Sequence, residues 1–357
     1  MPIKYLGSKR RLVDVIGAMY TATGGARALD LFTGTTRVAQ ELKRRGAHVT
    51  AVDRARYAAV FAESAIATDA DTLDLDALDV ELRALNGMPP YAGYVTDVFC
   101  HQARYFRPEN GARIDAIRDA IEAGRDHPHY PILLTSLIEA ADRVDSTTGV
   151  QMAYLKEWAP RAHQPLVLRR PDLLPGPGAA IRADACELVE SGGLGRFDFA
   201  YLDPPYNQHR YEANYHVWET IVAWDAPVHY GVACKRDELR DRSVTSVFNR
   251  RRLMPDALRR CIEQVDARLT VLSYNDESWI ALDQLVDFCR PRGAVEVLAF
   301  DSRRYVGALI GVHDRQGRRV GTPNRLHNVE YLVVSGELDL VEAAVAAVPT
   351  PRPAVRP

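Results

Sequence analysis

ARALDLFTGTTRVAQELKRRGAHVTAVD, residues 26–53, decides the fold class because its apolar period changes twice. Ala26–Phe32 is a short, largely apolar run that follows a double glycine and leads into Gly34, the pattern of a buried strand. Val38, Ala39 and Leu42 then recur at helical spacing, and Gly46 stops the run. A second apolar run, His48–Val52, ends at Asp53. Strand, helix and strand in that order predict a β-α-β unit, the start of a doubly wound sheet.

Outward from this unit, the pattern breaks near residue 67. An acidic stretch, TDADTLDLDALDVEL, opens a region with helical periodicity in ARIDAIRDAIEAG and ILLTSLIEAADRV, and nothing there reads as the next parallel strand. Residues 67–180 therefore read as an inserted, mostly helical region, closed by the Pro/Gly-rich linker RRPDLLPGPGAA. The α/β pattern resumes with Ala180–Arg182 before Asp184, Phe197–Leu202 before Asp203, and Leu269–Ser273. AVEVLAF, ALIGVHD and NVEYLVV add strands with an antiparallel hairpin at the sheet edge. The expected organisation is an α/β domain from residues 1–66 and 181–335, the insert, and a flexible Ala/Pro-rich tail over 336–357.

The 357 residues have room for one large α/β domain and a smaller part, and 47% apolar with 26% charged residues is ordinary for a soluble globular chain. The apolar stretches are too short to span a bilayer, and MPIKYLGSKRRLVDV has no secretory h-region, so a cytoplasmic protein is expected. Five cysteines, odd in number and without a CxxC pair, argue against disulfides or zinc, and no metal ligand set is expected. A net charge of −2 argues against simple coating of nucleic acid. Basic clusters at Lys9-Arg10-Arg11, Lys43-Arg44-Arg45, Arg250-Arg251-Arg252, Arg303-Arg304 and Arg318-Arg319 matter for phosphate contacts only if they share a face.

The strongest chemical signal is Asp203-Pro204-Pro205-Tyr206 at the carboxyl end of a predicted strand, the edge where open α/β sheets bind ligands. These residues suit methylation of an exocyclic amine, whose lone pair is delocalised into its ring. Two acceptors aimed at the two amine hydrogens, the Asp203 carboxylate and the Pro204 carbonyl, draw the nitrogen toward a tetrahedral arrangement and free that lone pair. Pro205 restricts Pro204 to an extended conformation, and neither proline has an N–H to compete for the site. Tyr206 offers a ring on which an extruded base can stack, worth about 1–3 kcal/mol, and extrusion is needed because the amine is unreachable inside a duplex.

The other elements are weaker alone. Asp30-Leu31-Phe32-Thr33-Gly34 lies between strand and helix, where Gly34 permits close backbone approach, and Asp53, about 20 residues after Asp30, stands where an acid binds ribose hydroxyls. Read in isolation, it is equally a structural glycine turn with a solvated acid. Lys4-Tyr5-Leu6-Gly7-Ser8-Lys9 can cradle an amino-acid group, with Lys9 on its carboxylate, or be a solvated basic terminus. Asp184 can accept from an adenine amine, cap the helix that follows, or both.

In combination, KYLGSK, DLFTG, the insert and DPPY resemble the Dam-like adenine-specific DNA methyltransferases, the alpha group of amino-methyltransferases. The resemblance continues through NQHRYEANYHVWETI, LTVLSYNDE and NVEYLVV, to about residue 335. It implies a Rossmann-like S-adenosylmethionine-dependent fold whose insert recognises the target. It also implies transfer of a methyl group from S-adenosyl-L-methionine to the 6-amino group of a flipped adenine in double-stranded DNA. Tyr5, Lys9, Asp30, Phe32, Gly34, Asp53, Asp184 and Asp203 would contact the cofactor; Asp203, Pro204, Pro205 and Tyr206 would hold the adenine. The segment around Asn214–His216 would line the cleft, His209 and Arg210 would approach DNA, and Thr147-Thr148-Gly149-Val150 with Tyr154-Leu155-Lys156 would lie near it; a cap followed by a helix explains the last equally. The family's second glycine is here Thr36, which can cap a helix but narrows the approach of a cofactor.

Resemblance also implies a role in DNA modification, with a cognate restriction endonuclease as a possible partner and a location at the bacterial nucleoid. Three other readings compete. A cytosine amino-methyltransferase uses similar chemistry, but SPPY is the commoner form there. An RNA guanine-N2 methyltransferase can carry DPPY but is typically compact, without the large insert. A non-catalytic DNA-binding relative would have no need of Asp203 and Tyr206.

Overall fold

The computed structural model describes residues 3–5, 9–205, 210–241, 245–303, 312–313, 319–321 and 327–348. The chain is mixed α/β and Rossmann-like, with seven main strands paired mostly in parallel. It divides into two compact units: residues 1–10, 33–184 and 209–246 form the first, and 11–32, 185–208 and 247–357 the second.

The second unit carries most of the strands. After α1 (Val13–Ala22), β1 (Arg27–Asp30) pairs in parallel with β4 (Phe197–Leu202), with Leu29 beside Ala200. The β4 strand has the bounds the sequence predicts, and it is buried almost throughout, as an interior parallel strand must be. Its other neighbour is β7 (Ala267–Asn275), again parallel. The expected antiparallel hairpin is formed by β8 (Ala294–Arg303) and β11 (His327–Gly336), and β11 lies between β7 and β8, antiparallel to both. The ALIGVHD stretch falls mostly outside the described residues; only Val312–His313 is seen, as β9 paired with β10 (Arg319–Gly321). Helices α7 (Ala185–Glu190), α10 (Met254–Gln264) and α11 (Leu282–Cys289) complete the α/β alternation.

The tail reading needs correction at one place. Leu338–Ala346, α12, is a helix with Val341 and Ala344 buried, and Val348 is buried beyond it. These apolar positions recur at helical spacing, so one face of the Ala-rich segment packs instead of fraying. Residues 349–357 lie outside the described residues.

In the first unit, β2 (His48–Asp53) and β3 (Gly178–Arg182) pair in parallel, with Asp53 beside Arg182. Helix α2 (Arg37–Arg44) precedes β2, and α3 (Arg56–Ala62) follows it and runs into a π-helical turn, Glu63–Ala67. Lys43 is spent closing that turn: its Nζ donates to Ile66 O at 2.8 Å and Thr68 O at 2.6 Å. Arg44 and Arg45 are exposed and both pair with Glu41, so only two residues of this basic cluster of three reach the surface and both have an acidic partner.

The region read as an insert is helical as expected: α4 (Leu75–Asn86), a π-helix (Val95–Gln102), α5 (Pro108–Ala123) and α6 (Tyr130–Val144). It belongs to the same compact unit as residues 33–66, so packing does not separate it at residue 67. The cause is α6, which buries Ile132, Leu134, Leu137 and Ile138 in one core with Tyr57 and Phe61 of α3. Buried Asp115 on α5 accepts from the backbone N–H groups of Gly93, Val95 and Thr96 at 2.8–2.9 Å, satisfying donors that the π-helix start would otherwise orphan. The closing linker is tied down, with Gly176 N–H on Asp69 Oδ1 at 2.8 Å. Helices α8 (Tyr211–Asn214) and α9 (His216–Ala223) and a short ribbon, β5 (His229–Tyr230) with β6 (Lys235–Arg236), complete the unit.

Candidate active site

Four predicted residues of the second unit sit at the carboxyl ends of neighbouring parallel strands. Asp30 ends β1 beside Tyr201, and Leu31 N–H donates to Tyr201 O at 3.1 Å. Asp203 follows β4 directly and is half-buried; Pro204 after it is buried and Pro205 half-buried. Asp30 is 1% exposed, which for a carboxylate demands a polar environment. Phe32 packs edge-on against Phe248, ring centroids 5.0 Å apart. Tyr206 and His209 lie outside the described residues, as do Leu6, Gly7 and Ser8 of the N-terminal motif.

The first unit brings Tyr5, Gly34 and Asp53 together. Asp53 Oδ2 accepts from Gly34 N–H and Oδ1 from Ala55 N–H, both at 2.9 Å. With three backbone N–H groups on the carboxylate, the two oxygens together keep acceptor capacity for a ligand hydroxyl. Burial raises the Asp53 pKa above the ordinary carboxylate value, opposed by the backbone N–H groups of Ala55, Gly34 and Arg54. Gly34 has φ +51°, and a Cβ there would stand 3.2 Å from the Tyr5 ring, so both backbone conformation and space favour glycine. Asp184 closes the same edge: β3 runs beside β2, Ala183 N–H donates to Asp53 O at 3.1 Å, and Asp184 directly precedes α7. Lys9 is buried at 6% exposure, not a solvated terminus.

Thr36 departs from its expected role. It stands before α2 at φ +61°, yet its side chain makes no cap hydrogen bond to the helix backbone. Its hydroxyl donates to Thr35 O at 2.7 Å and accepts from Gln40 Nε2 at 2.8 Å. A left-handed backbone there explains why glycine suits the position; a threonine carries a strain of about 1–2 kcal/mol.

Sequence reasoning missed an aromatic wall. Tyr5 stacks on Tyr215 at 4.8 Å with 17° between planes, lies 5.5 Å from Tyr211, and meets Tyr57 edge-on at 6.4 Å. Burial pushes the Tyr5 and Tyr57 hydroxyls well above their ordinary pKa, helped at Tyr5 first by Tyr57 and at Tyr57 first by Asp53, so both stay neutral. Glu219 anchors the wall, accepting from Tyr57 N–H at 3.2 Å beside Arg56 at 3.4 Å. The only signal was the recurrence of Tyr57, Tyr211 and Tyr215 near motif residues; their contacts span 52 to 210 positions of chain.

The Asn214–His216 segment is tied to the turn that follows Thr147. Gln151 N–H donates to Asn214 O at 2.7 Å, and Gln151 Oε1 accepts from Val217 N–H at 2.9 Å. His216 Nε2 lies 2.9 Å from Gln151 O, and burial lowers the His216 pKa to about 3. The ring is therefore neutral with its proton on Nε2, which agrees with a buried Nδ1 that has no hydrogen-bond partner among the described residues. Asn214 Nδ2 is likewise buried without a partner among them. No helix follows Thr147. Instead, Thr147 Oγ1 donates to Asp145 Oδ2 at 2.6 Å and accepts from Gly149 N–H at 3.1 Å, forming a turn. Arg210 pairs with Glu212 and donates to Leu239 O, both at 3.1 Å.

Comparison with known proteins agrees with this chemistry. Residues 5–288 match the family model described as D12 class N6 adenine-specific DNA methyltransferase. The type II methyltransferase M.NlaIII of Neisseria lactamica is 30% identical over 322 residues, covering 85% of this chain and 92% of that protein. The type II methyltransferase M.CviAII of Paramecium bursaria Chlorella virus 1 is 28% identical, covering 87% of this chain and 94% of its own. The modification methylase StsI of Streptococcus sanguinis is 27% identical; the match covers 85% of this chain but only 49% of that longer protein. Among the described residues, no helix is long and apolar enough to cross a membrane.

Proposed function

The chain belongs to the D12 class N6 adenine-specific DNA methyltransferase family, and from that premise we propose a residue-level mechanism. Asp203 and the Pro204 carbonyl accept the two hydrogens of the adenine 6-amino group, and Tyr206 stacks on the flipped base. The observation that carries this reading is the position of Asp203-Pro204 directly after β4, at the carboxyl edge where β1 ends in buried Asp30.

Family membership implies S-adenosyl-L-methionine, which supplies an electrophilic methyl group when bound. The residues fit it. Gly34 admits close approach, and the Asp53 oxygens retain acceptor capacity for ribose hydroxyls. Tyr5, braced by Tyr215, presents a neutral aromatic surface. Lys9 pairs with the carboxylate, Asp184 accepts from the adenine amine, and Asp30, Phe32 and Asp203 complete the contacts. The family acts on DNA, and the helical region over 67–180, with the Thr147–Val150 turn, reads the target sequence. The relatives' names support a place in DNA modification; a cognate restriction endonuclease as partner and the nucleoid as location are part of the same proposal and follow from the DNA substrate.

The test separates methylation from binding. Asp203→Ala is expected to abolish methyl transfer from labelled S-adenosylmethionine while leaving most of the affinity for DNA. Retained transfer would reject Asp203 as an acceptor. Label transferred by the wild type to RNA guanine instead of DNA would reject the reading as a whole.

A further inference from the structure

Away from the residues given roles above, Glu81, His127 and His129 bring three ligand atoms within 4.8 Å of one another. Glu81 projects from the middle of α4; His127 and His129 flank Pro128 in the turn that starts α6. His129 Nδ1 lies 3.1 Å and His127 Nε2 3.9 Å from the same carboxylate oxygen, Glu81 Oε1. The two imidazoles meet edge-on at 4.8 Å.

We propose that Glu81, His127 and His129 form a site for one divalent transition-metal ion of the zinc class, joining α4 to the start of α6. A tetrahedral ion with ligands at about 2.0–2.1 Å sets neighbouring donor atoms about 3.3 Å apart. The two spacings to Glu81, 3.1 and 3.9 Å, bracket that value and all three donor atoms lie within 4.8 Å, so a rotation of the exposed His127 ring brings the set to tetrahedral spacing. Two imidazoles and one carboxylate suit zinc, cobalt or nickel, whereas magnesium and calcium prefer oxygen alone. The side chain of His129 is 8% exposed and rigidly framed, while that of His127 is 50% exposed, so the ion has a path in and water has a fourth position.

Loading changes the hydrogen bonding of both rings, because His129 Nδ1 now donates to Glu81 Oε1 at 3.1 Å and must give up that proton to bind an ion. His129 N–H now lies 3.3 Å from His127 Nδ1, which places the His127 proton on Nε2. Ligation through Nε2 places the His127 proton on Nδ1 and ends this long contact. A cysteine count could not find this site, because its ligands are a His-x-His pair and one glutamate from a distant helix.

The test uses the full chain, freed of metal and without a histidine tag. Equilibrium dialysis against zinc chloride is expected to give one bound ion per chain. Cobalt(II) substituted for zinc should show tetrahedral ligand-field bands without thiolate charge transfer. Glu81→Gln and His127→Ala should each weaken binding by about tenfold or more; His127 is exposed enough that its variant folds even if one at His129 does not. His163→Ala should bind as the wild type does. No binding at about 100 μM zinc, thiolate bands, or unchanged affinity in both Glu81→Gln and His127→Ala would overturn the proposal.

Discussion

The two units hold their candidate functional residues in different ways. In the second unit, Asp30 and Asp203 are placed by the ends of paired parallel strands, so backbone ladders do the positioning. In the first, Tyr5, Tyr57 and Tyr215 are placed by one another and by Glu219, across long stretches of chain. The difference separates placement from stability. A half-buried residue after a strand end, such as Asp203, can be truncated with less cost to the fold than a buried member of the tyrosine wall, which supports both fold and site.

The largest expected contrast tests that separation. Tyr215→Ala deletes a side chain in a residue only 1% exposed that stacks on Tyr5, and should cost about 3–5 kcal/mol in urea unfolding. Asp203→Ala, at a half-buried position after β4, should leave the unfolding midpoint nearly unchanged while methylation falls by about 100-fold or more. Equal stability losses in the two variants would break the comparison.

A smaller effect depends on pH. The His216 pKa is lowered to about 3 by burial, against about 6.5 in the unfolded chain. The unfolded state therefore binds the extra proton first: stability is full above pH 6.5 and is lost as pH falls toward 3. At pH 5 the loss is about 2 kcal/mol. Asp142 works in the opposite direction. Burial raises its pKa to about 6, so its destabilising contribution is relieved as pH falls below that value. His216→Gln retains a donor toward Gln151 O without titrating, so its unfolding free energy should fall less than the wild type's between pH 7 and 5. Parallel pH profiles would show that His216 is not held neutral.

How much of this was legible in the chain follows the same division. Phe197–Leu202 was readable to the residue because an interior parallel strand is apolar on both faces and ends at a chemically marked Asp-Pro-Pro. DLFTG and Asp53 were readable because glycine and acid follow their strands at family spacing. The tyrosine wall was not, since no periodicity relates residues 5, 57 and 215. Nor was the tie between Gln151 and the Asn214–Val217 segment, which joins a turn to two distant helices through single hydrogen bonds. The helix over Leu338–Ala346 was hidden by an Ala-rich composition whose buried stripe appears only once a partner surface exists.

The smallest prediction concerns the one residue that breaks the family pattern. Thr36 holds a left-handed backbone without capping α2. Thr36→Gly should relieve about 1 kcal/mol of strain, partly offset by glycine's greater freedom in the unfolded chain, and should tighten binding of S-adenosylmethionine. A clear loss of stability would show that the Thr35 and Gln40 contacts outweigh the strain.

The central claim is tested most directly by nucleoside analysis of unmethylated genomic DNA after incubation with the full chain and S-adenosylmethionine. The account predicts N6-methyladenine as the product. Methylcytosine, or DNA without any methylated base after incubation with folded, cofactor-binding protein, would contradict it.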